Sequence, residues 1–192
     1  MSQSCSYTDA DQEILLRVAH NAIGHGLRRG IPASIEPETY SAPLREQAAS
    51  FVTLKSDGAL RGCIGTLQAV RPLVNDVNEN AYAAAFRDPR FPPLSDRELN
   101  GLQISISILS APELITFSSE GDLVDQLRVG VDGLVLEEGQ RRGTFLPAVW
   151  EALPDPSAFL RQLKIKAGLH PDYWSDTLRV YRYHAEIIDR GA

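Results

Sequence analysis

Leu102, Ile104, Ile106 and Ile108 alternate with Gln103, Ser105 and Ser107. A side-chain period of two marks an extended strand with one apolar and one polar face. A strand of a parallel sheet, buried on both faces, would instead read as a continuous apolar run. The pattern therefore predicts an antiparallel sheet covered on one face. Residues 49–55 and 59–64 flank Ser56-Asp57-Gly58 and predict a hairpin. Residues 131–136, a turn over 137–142 and a strand over 143–146 predict a second hairpin, with one long closing strand over 177–188.

Helical spacing separates these strands. Thr8 can cap a helix running to about Arg29, with Ile14, Leu15, Val18, Ala19, Ala22 and Ile23 on its apolar face and Gly30 at its end. Residues 30–43 hold Pro32, Pro37 and Pro43 and predict an irregular crossing. Arg71-Pro72 opens a helix to about Phe86, which Asp88-Pro89-Arg90-Phe91-Pro92-Pro93 stops. Ser95, Ser119, Pro147 and Ser157 are further helix starts, the last closed by Gly168. Hairpin-paired strands with intervening helices give an α+β fold rather than a doubly wound sheet.

A chain of 192 residues can bury a core without metal or disulfide. No apolar run approaches the ~18 residues of a spanning helix, so no membrane association is expected. The net charge of −6 opposes nucleic-acid binding, which rests on a basic footprint. Cys5 and Cys63 make no disulfide framework and read as free thiols. The N-terminus lacks a basic stretch followed by an apolar one, so the expected location is the cytoplasm. Without HExxH or CxxC, and without a dinucleotide fingerprint, neither a metal site nor a cofactor is expected.

Three segments can carry chemistry. In Leu60-Arg61-Gly62-Cys63-Ile64-Gly65-Thr66 a thiol stands near two glycines, two residues after an arginine. Glycines allow positive φ and close approach, exposed amides can form an anion nest, and Arg61 can favour the thiolate. The same pattern also fits a structural thiol beside a bulge. The proline-rich loop can present Asp88 and Arg90 as an ion pair or as ligand groups, or serve as a stiff connector. Glu137, Arg142, Gly143 and Thr144 fit either a solvated hairpin tip or an arginine site for a carboxylate or phosphate. His184 falls in the closing strand, either as a satisfied strand histidine or as a group approaching Cys63.

LRGCIGT (60–66), AAFRDPRFPPL (84–94), ISISILSAPE (104–113) and the long segment 133–169 together resemble the AMMECR-type domain, whose prokaryotic members are called AmmeMemoRadiSam system protein A. The resemblance runs in order over residues 8–188, leaving 1–7 and 189–192 as tails. It implies one domain of two lobes, an antiparallel sheet flanked by helices, and a cleft near the LRGCIG segment. It implies a shared pathway with a Memo-like protein and a radical S-adenosylmethionine enzyme, and no defined reaction. The motif-matching candidates are Arg61, Gly62, Cys63, Gly65, Asp88, Arg90, Glu137, Arg142, Gly143 and Thr144. Two function classes follow. One is a binding or accessory component holding a small molecule or peptide. The other is an enzyme with Cys63 as nucleophile or redox thiol and Asp88 or a histidine as base.

Overall fold

Thr8 opens α1 (Asp9–Arg29) with a capping box: its hydroxyl accepts from the Asp11 amide, and the Asp11 carboxylate accepts from the Thr8 amide. These coordinates are a computed structural model describing residues 7–189, so Cys5 lies outside the described residues. Gly30, at φ 73°, ends α1 in the left-handed conformation that favours glycine. A 3-10 turn and the short α2 (Ala42–Arg45) interrupt the crossing. The hairpin follows as β1 (Ala49–Ser56) and β2 (Ala59–Gly65), then α3 (Leu73–Phe86), a 3-10 turn over Asp96–Gly101 and β3 (Leu102–Leu109). Pro72 stands just before α3 as its N-cap, not inside its first turn as expected.

The rest of the chain runs β4 (Glu113–Leu114), α4 (Glu120–Asp125), β5 (Gly133–Glu138), β6 (Arg141–Phe145), α5 (Pro156–Lys166), β7 (Arg179–Tyr183) and β8 (Ala185–Asp189). Two four-stranded sheets result, with orders β2-β1-β3-β8 and β4-β7-β5-β6. The described pairings of β1 with β2 and β3, and of β7 and β6 with β5, are antiparallel. The fold is α+β. The chain divides into two compact units: one ends at Leu109 and resumes at Glu186, and the other is Ser110–Ala185.

In the first unit, α1 and α3 supply Leu15, Ala19, Ile23, Val74, Val77 and Ala81 to a core completed by Val52, Leu54 and Ile106. Burying each larger aliphatic side chain contributes about 1.5–3 kcal/mol. Inside this core Asp76 is fully buried. Its carboxylate accepts from the Ser50 amide (2.8 Å) and hydroxyl (2.6 Å), Asn80 Nδ2 (2.8 Å), Thr66 Oγ1 (3.0 Å) and Arg71 Nε (2.8 Å). This network ties α3 to β1 and to the residue after β2.

In the second unit, Leu134, Leu136 and Val180 from the sheet meet Phe159, Leu160 and Leu163 of α5. Trp150 stacks on Phe159 at 3.7 Å and donates its indole N–H to the Asp132 carbonyl (2.7 Å). Lys164 is fully buried, with Nζ 2.7 Å from Glu120 Oε1 and 5.7 Å from the Trp174 ring.

Three expectations change. The closing strand is two strands in different sheets, divided at His184, because β7 pairs with β5 while β8 lies beside β3. Glu137 and Arg142 sit opposite each other within β5 and β6, since the turn narrows to Gly139 and Gln140. Asp155, with Pro156 in the first position, caps α5 in place of Ser157.

Candidate functional site

β2 is an edge strand, and Cys63 lies opposite Thr53 of β1. Thr53 in turn faces Ser105 of β3, so three small polar side chains cross the sheet in a row. Gly62 points the other way, towards α3, where an added Cβ would collide with the Ala84 carbonyl. A Cβ on Gly65 would strike the Phe51 ring. Both glycines are present for close approach, and neither has a positive φ. The register slips between Leu54 and Lys55, leaving Arg61 as the extra residue of a β-bulge.

An edge strand presents unpaired N–H and C=O groups outward. At Cys63 both are taken by the loop that follows α3. The Cys63 amide donates to Asp88 Oδ2 (2.8 Å), and Arg90 Nη2 donates to the Cys63 carbonyl (3.2 Å). Arg90 also binds Asp88 through its amide (3.1 Å), Nε (2.9 Å) and Nη2 (2.6 Å). The pair therefore occupies the positions a neighbouring strand would fill. The Arg90 hydrogen bonds are the largest cause holding the Asp88 carboxyl well below the usual carboxylate range, opposed by desolvation and helped by the Cys63 amide. The Arg90 guanidinium is pushed up, chiefly by Asp88, with the Cys63 side chain contributing.

Arg61 does not serve the thiol. Its Nε lies 2.6 Å from Glu98 Oε1, and its Nη2 donates to the Pro92 carbonyl (2.9 Å). Its guanidinium sits 5.9 Å from the Phe91 ring, and Arg90 reaches the same ring at 5.5 Å. Arg61 and then Ser95 lower the Glu98 carboxyl to about 2. The thiol is half-buried, and Thr53 Oγ1 donates to its Sγ at 3.3 Å. Among the described residues no carboxylate or imidazole hydrogen-bonds Sγ, and no group of His, Cys, Asp and Glu is arranged to hold a metal ion. Asp88, Arg90 and Cys63 thus form one hydrogen-bonded constellation, in which Asp88 already accepts four hydrogen bonds and to which Arg61 makes no bond.

The other candidates lie in the second unit. Glu137 pairs with Arg142 at 3.4 Å. A side chain at Gly143 would meet Ala167 and Leu163 of α5, so this glycine serves packing. Thr144 donates to the Leu134 carbonyl (2.8 Å) and touches the Tyr183 hydroxyl (3.3 Å). His184 Nε2 lies 3.0 Å from Arg128 Nη2, and its Nδ1 lies 3.8 Å from the fully buried Asp132.

Sequence reasoning missed Glu98, Asp76 and Asp132. Asp76 had a readable signal: it falls on the face of α3 that carries Leu73, Val77 and Ala81, where an ionised side chain needs dedicated partners. Glu98 was visible only as the last residue of the Ser95 capping box.

A family model described as AMMECR1 matches residues 16–188. A protein of Methanothermobacter thermautotrophicus is 39% identical over 180 residues, spanning 91% of this chain and 91% of the relative. One from Thermococcus kodakarensis is 40% identical over 189 residues, spanning 92% and 89%. The crystal structure of the uncharacterized protein PH0010 from Pyrococcus horikoshii is similar at a TM-score of 0.81 and 38% identity, over 94% of this chain and 91% of that one. No helix among the described residues is long and apolar enough to cross a membrane.

Proposed function

Because this chain belongs to the AMMECR1 family, we propose that it acts as a binding and accessory component, and that the loop locked over Cys63 is its recognition surface. The observation that carries this reading is the saturation of Asp88. A general base needs a free lone pair within reach of the proton it removes. Asp88 instead spends its carboxylate on the Cys63 amide and three Arg90 N–H groups. Such a constellation is preorganised to present groups rather than to exchange protons. Arg90 keeps 53% of its side chain exposed and is the cation offered to a ligand. A small anionic molecule or an acidic peptide is the matching chemistry. The resemblance read from the sequence supplies the expected partners, a Memo-like protein and a radical S-adenosylmethionine enzyme.

The alternative is a cysteine enzyme, favoured by one feature: the Thr53 hydroxyl donates to the thiol and the Arg90 guanidinium is bound to the carbonyl of the same residue. The two readings part on Cys63→Ala. Immobilised chain is tested for capture of each purified partner, and the reconstituted pathway is assayed for turnover. The expected result is capture and turnover unchanged by Cys63→Ala, with capture weakened roughly tenfold by Arg90→Ala. Melting curves separate a folding defect from a binding defect. Turnover abolished by Cys63→Ala with capture intact would install the enzyme reading. Capture of neither partner would end the accessory reading.

A further inference from the structure

Away from Cys63, the second sheet sets three charges in a row. Arg142 of β6 and Arg179 of β7 are the register partners of Glu137 on either side. One carboxylate cannot fully satisfy two guanidiniums, and Glu137 pairs with Arg142. Arg179 is exposed and makes no ion pair or hydrogen bond through its side chain with any described residue. It borders a pocket of about 300 Å³ with Glu137, Gly139 and Thr177. Gly139, at φ 58°, forms the hairpin tip and adds no side chain to that wall. Thr177 is held in place by donating to Glu138 Oε1 (2.8 Å), an oxygen that also receives the Tyr173 hydroxyl (3.0 Å) and the Ser175 hydroxyl (3.1 Å).

The walls therefore offer an unpaired guanidinium, a carboxylate about one-third exposed and an anchored hydroxyl. A simple cation would be repelled by Arg179, and a simple anion would leave the exposed part of Glu137 without a complement. A molecule bearing both charges meets each with its complement. The volume lies at the small end of ligand pockets, about 300–1,000 Å³, which suits a small occupant. We propose that this pocket binds a small zwitterion, a free amino acid or dipeptide, with its carboxylate on Arg179 and its ammonium group on Glu137 and the Thr177 hydroxyl. The proposal stands apart from the Cys63 surface, and either can fail alone.

The test is an amide NMR titration of the full chain with diglycine and with alanine. Controls are N-acetyl-diglycine, which keeps only the carboxylate, glycinamide, which keeps only the ammonium group, and inorganic phosphate. The expected result is saturable movement of the Gly139 and Thr177 amides by a zwitterion, with each singly charged control weaker by roughly tenfold. Arg179→Ala is expected to weaken binding by roughly tenfold, and Glu137→Gln to weaken it by a smaller factor that glycinamide feels and N-acetyl-diglycine does not. Both side chains are solvent-accessible, and unchanged spectra elsewhere show that the variants remain folded. No saturable shift with either zwitterion overturns the proposal. So does equal or tighter binding of phosphate or a singly charged control, or indifference to Arg179→Ala.

Discussion

Replacing Asp88 by asparagine tests whether the loop really closes the edge of β2. The side chain is 2% exposed and loses its charge while keeping its size. An asparagine oxygen in the Oδ2 place can still accept from the Cys63 amide and Arg90 Nη2, but its nitrogen then faces the Arg90 amide and Nε, which lose their acceptor. The hydrogen bond from the Arg90 amide to the charged Oδ1 is lost, and a bond of that kind contributes about 1.5–3 kcal/mol. Arg90 is half exposed, which limits its ion pair to about 1 kcal/mol. The sum is a loss of about 3 kcal/mol at neutral pH, and for a chain of this length a fall in Tm of about 6–12 °C. The sign with pH follows from linkage. The native carboxyl lies below its unfolded value, so its contribution is complete above about pH 4 and is lost as pH falls from there through the native value. The loss runs at about 1.4 kcal/mol per pH unit below the unfolded value of about 3.9. Urea unfolding of both proteins at several pH values between neutrality and about pH 2.5 reads this directly. The gap between them should narrow as pH falls. A gap below about 0.5 kcal/mol at pH 7, or one that stays constant with pH, refutes the argument.

Gly62→Ala should cost about 1–3 kcal/mol or more by thermal melting, because α3 cannot retreat from β2 without opening the core around Val77 and Ala81. Glu120→Gln should destabilise the second unit by about 3 kcal/mol, since it strands the buried Lys164 charge; adding Lys164→Met should recover most of that in a double-mutant cycle, and no recovery would mean the pair is not coupled. Asp76→Ala should cost about 3–5 kcal/mol, because it leaves the buried Ser50 amide without its acceptor and Arg71 without its ion pair, while Asn80 keeps only its bonds to Ser50; a change near 1 kcal/mol in chemical unfolding contradicts the network.

Local patterns were readable where one element decides its own conformation. The alternation from Leu102 to Ile108 becomes β3, and Asp57-Gly58 makes the tight turn, both at positive φ. Patterns that two distant segments decide together were not readable. Residues 181–187 keep a period-two appearance, yet the chain changes sheets at His184, because neighbouring strands and not propensity choose the partner. At the candidate site, the Asp88–Arg90 pair was legible as a local loop contact. Its use on Cys63, 25 residues earlier, was not, nor was the diversion of Arg61 to Glu98, 37 residues on. Both depend on an edge strand meeting a loop, and neither segment encodes that meeting alone.

The division of the closing strand also bears on how the molecule assembles. β3 and β8 are neighbours in one sheet, yet residues 110–184, all but the last residue of the second unit, lie between them in sequence. Bringing such distant ends together from an open chain of about 75 residues costs roughly 4 kcal/mol of loop-closure entropy. The inserted unit removes most of that cost once it has formed, because its own first and last residues are already joined. The Ser110 amide donates to the His184 carbonyl, and the His184 amide donates to the Ser110 hydroxyl, each at 2.9 Å. Thermodynamically, the second unit is a clasp: once shut, it delivers β8 to the edge of β3 as if the two strands were joined by a short turn.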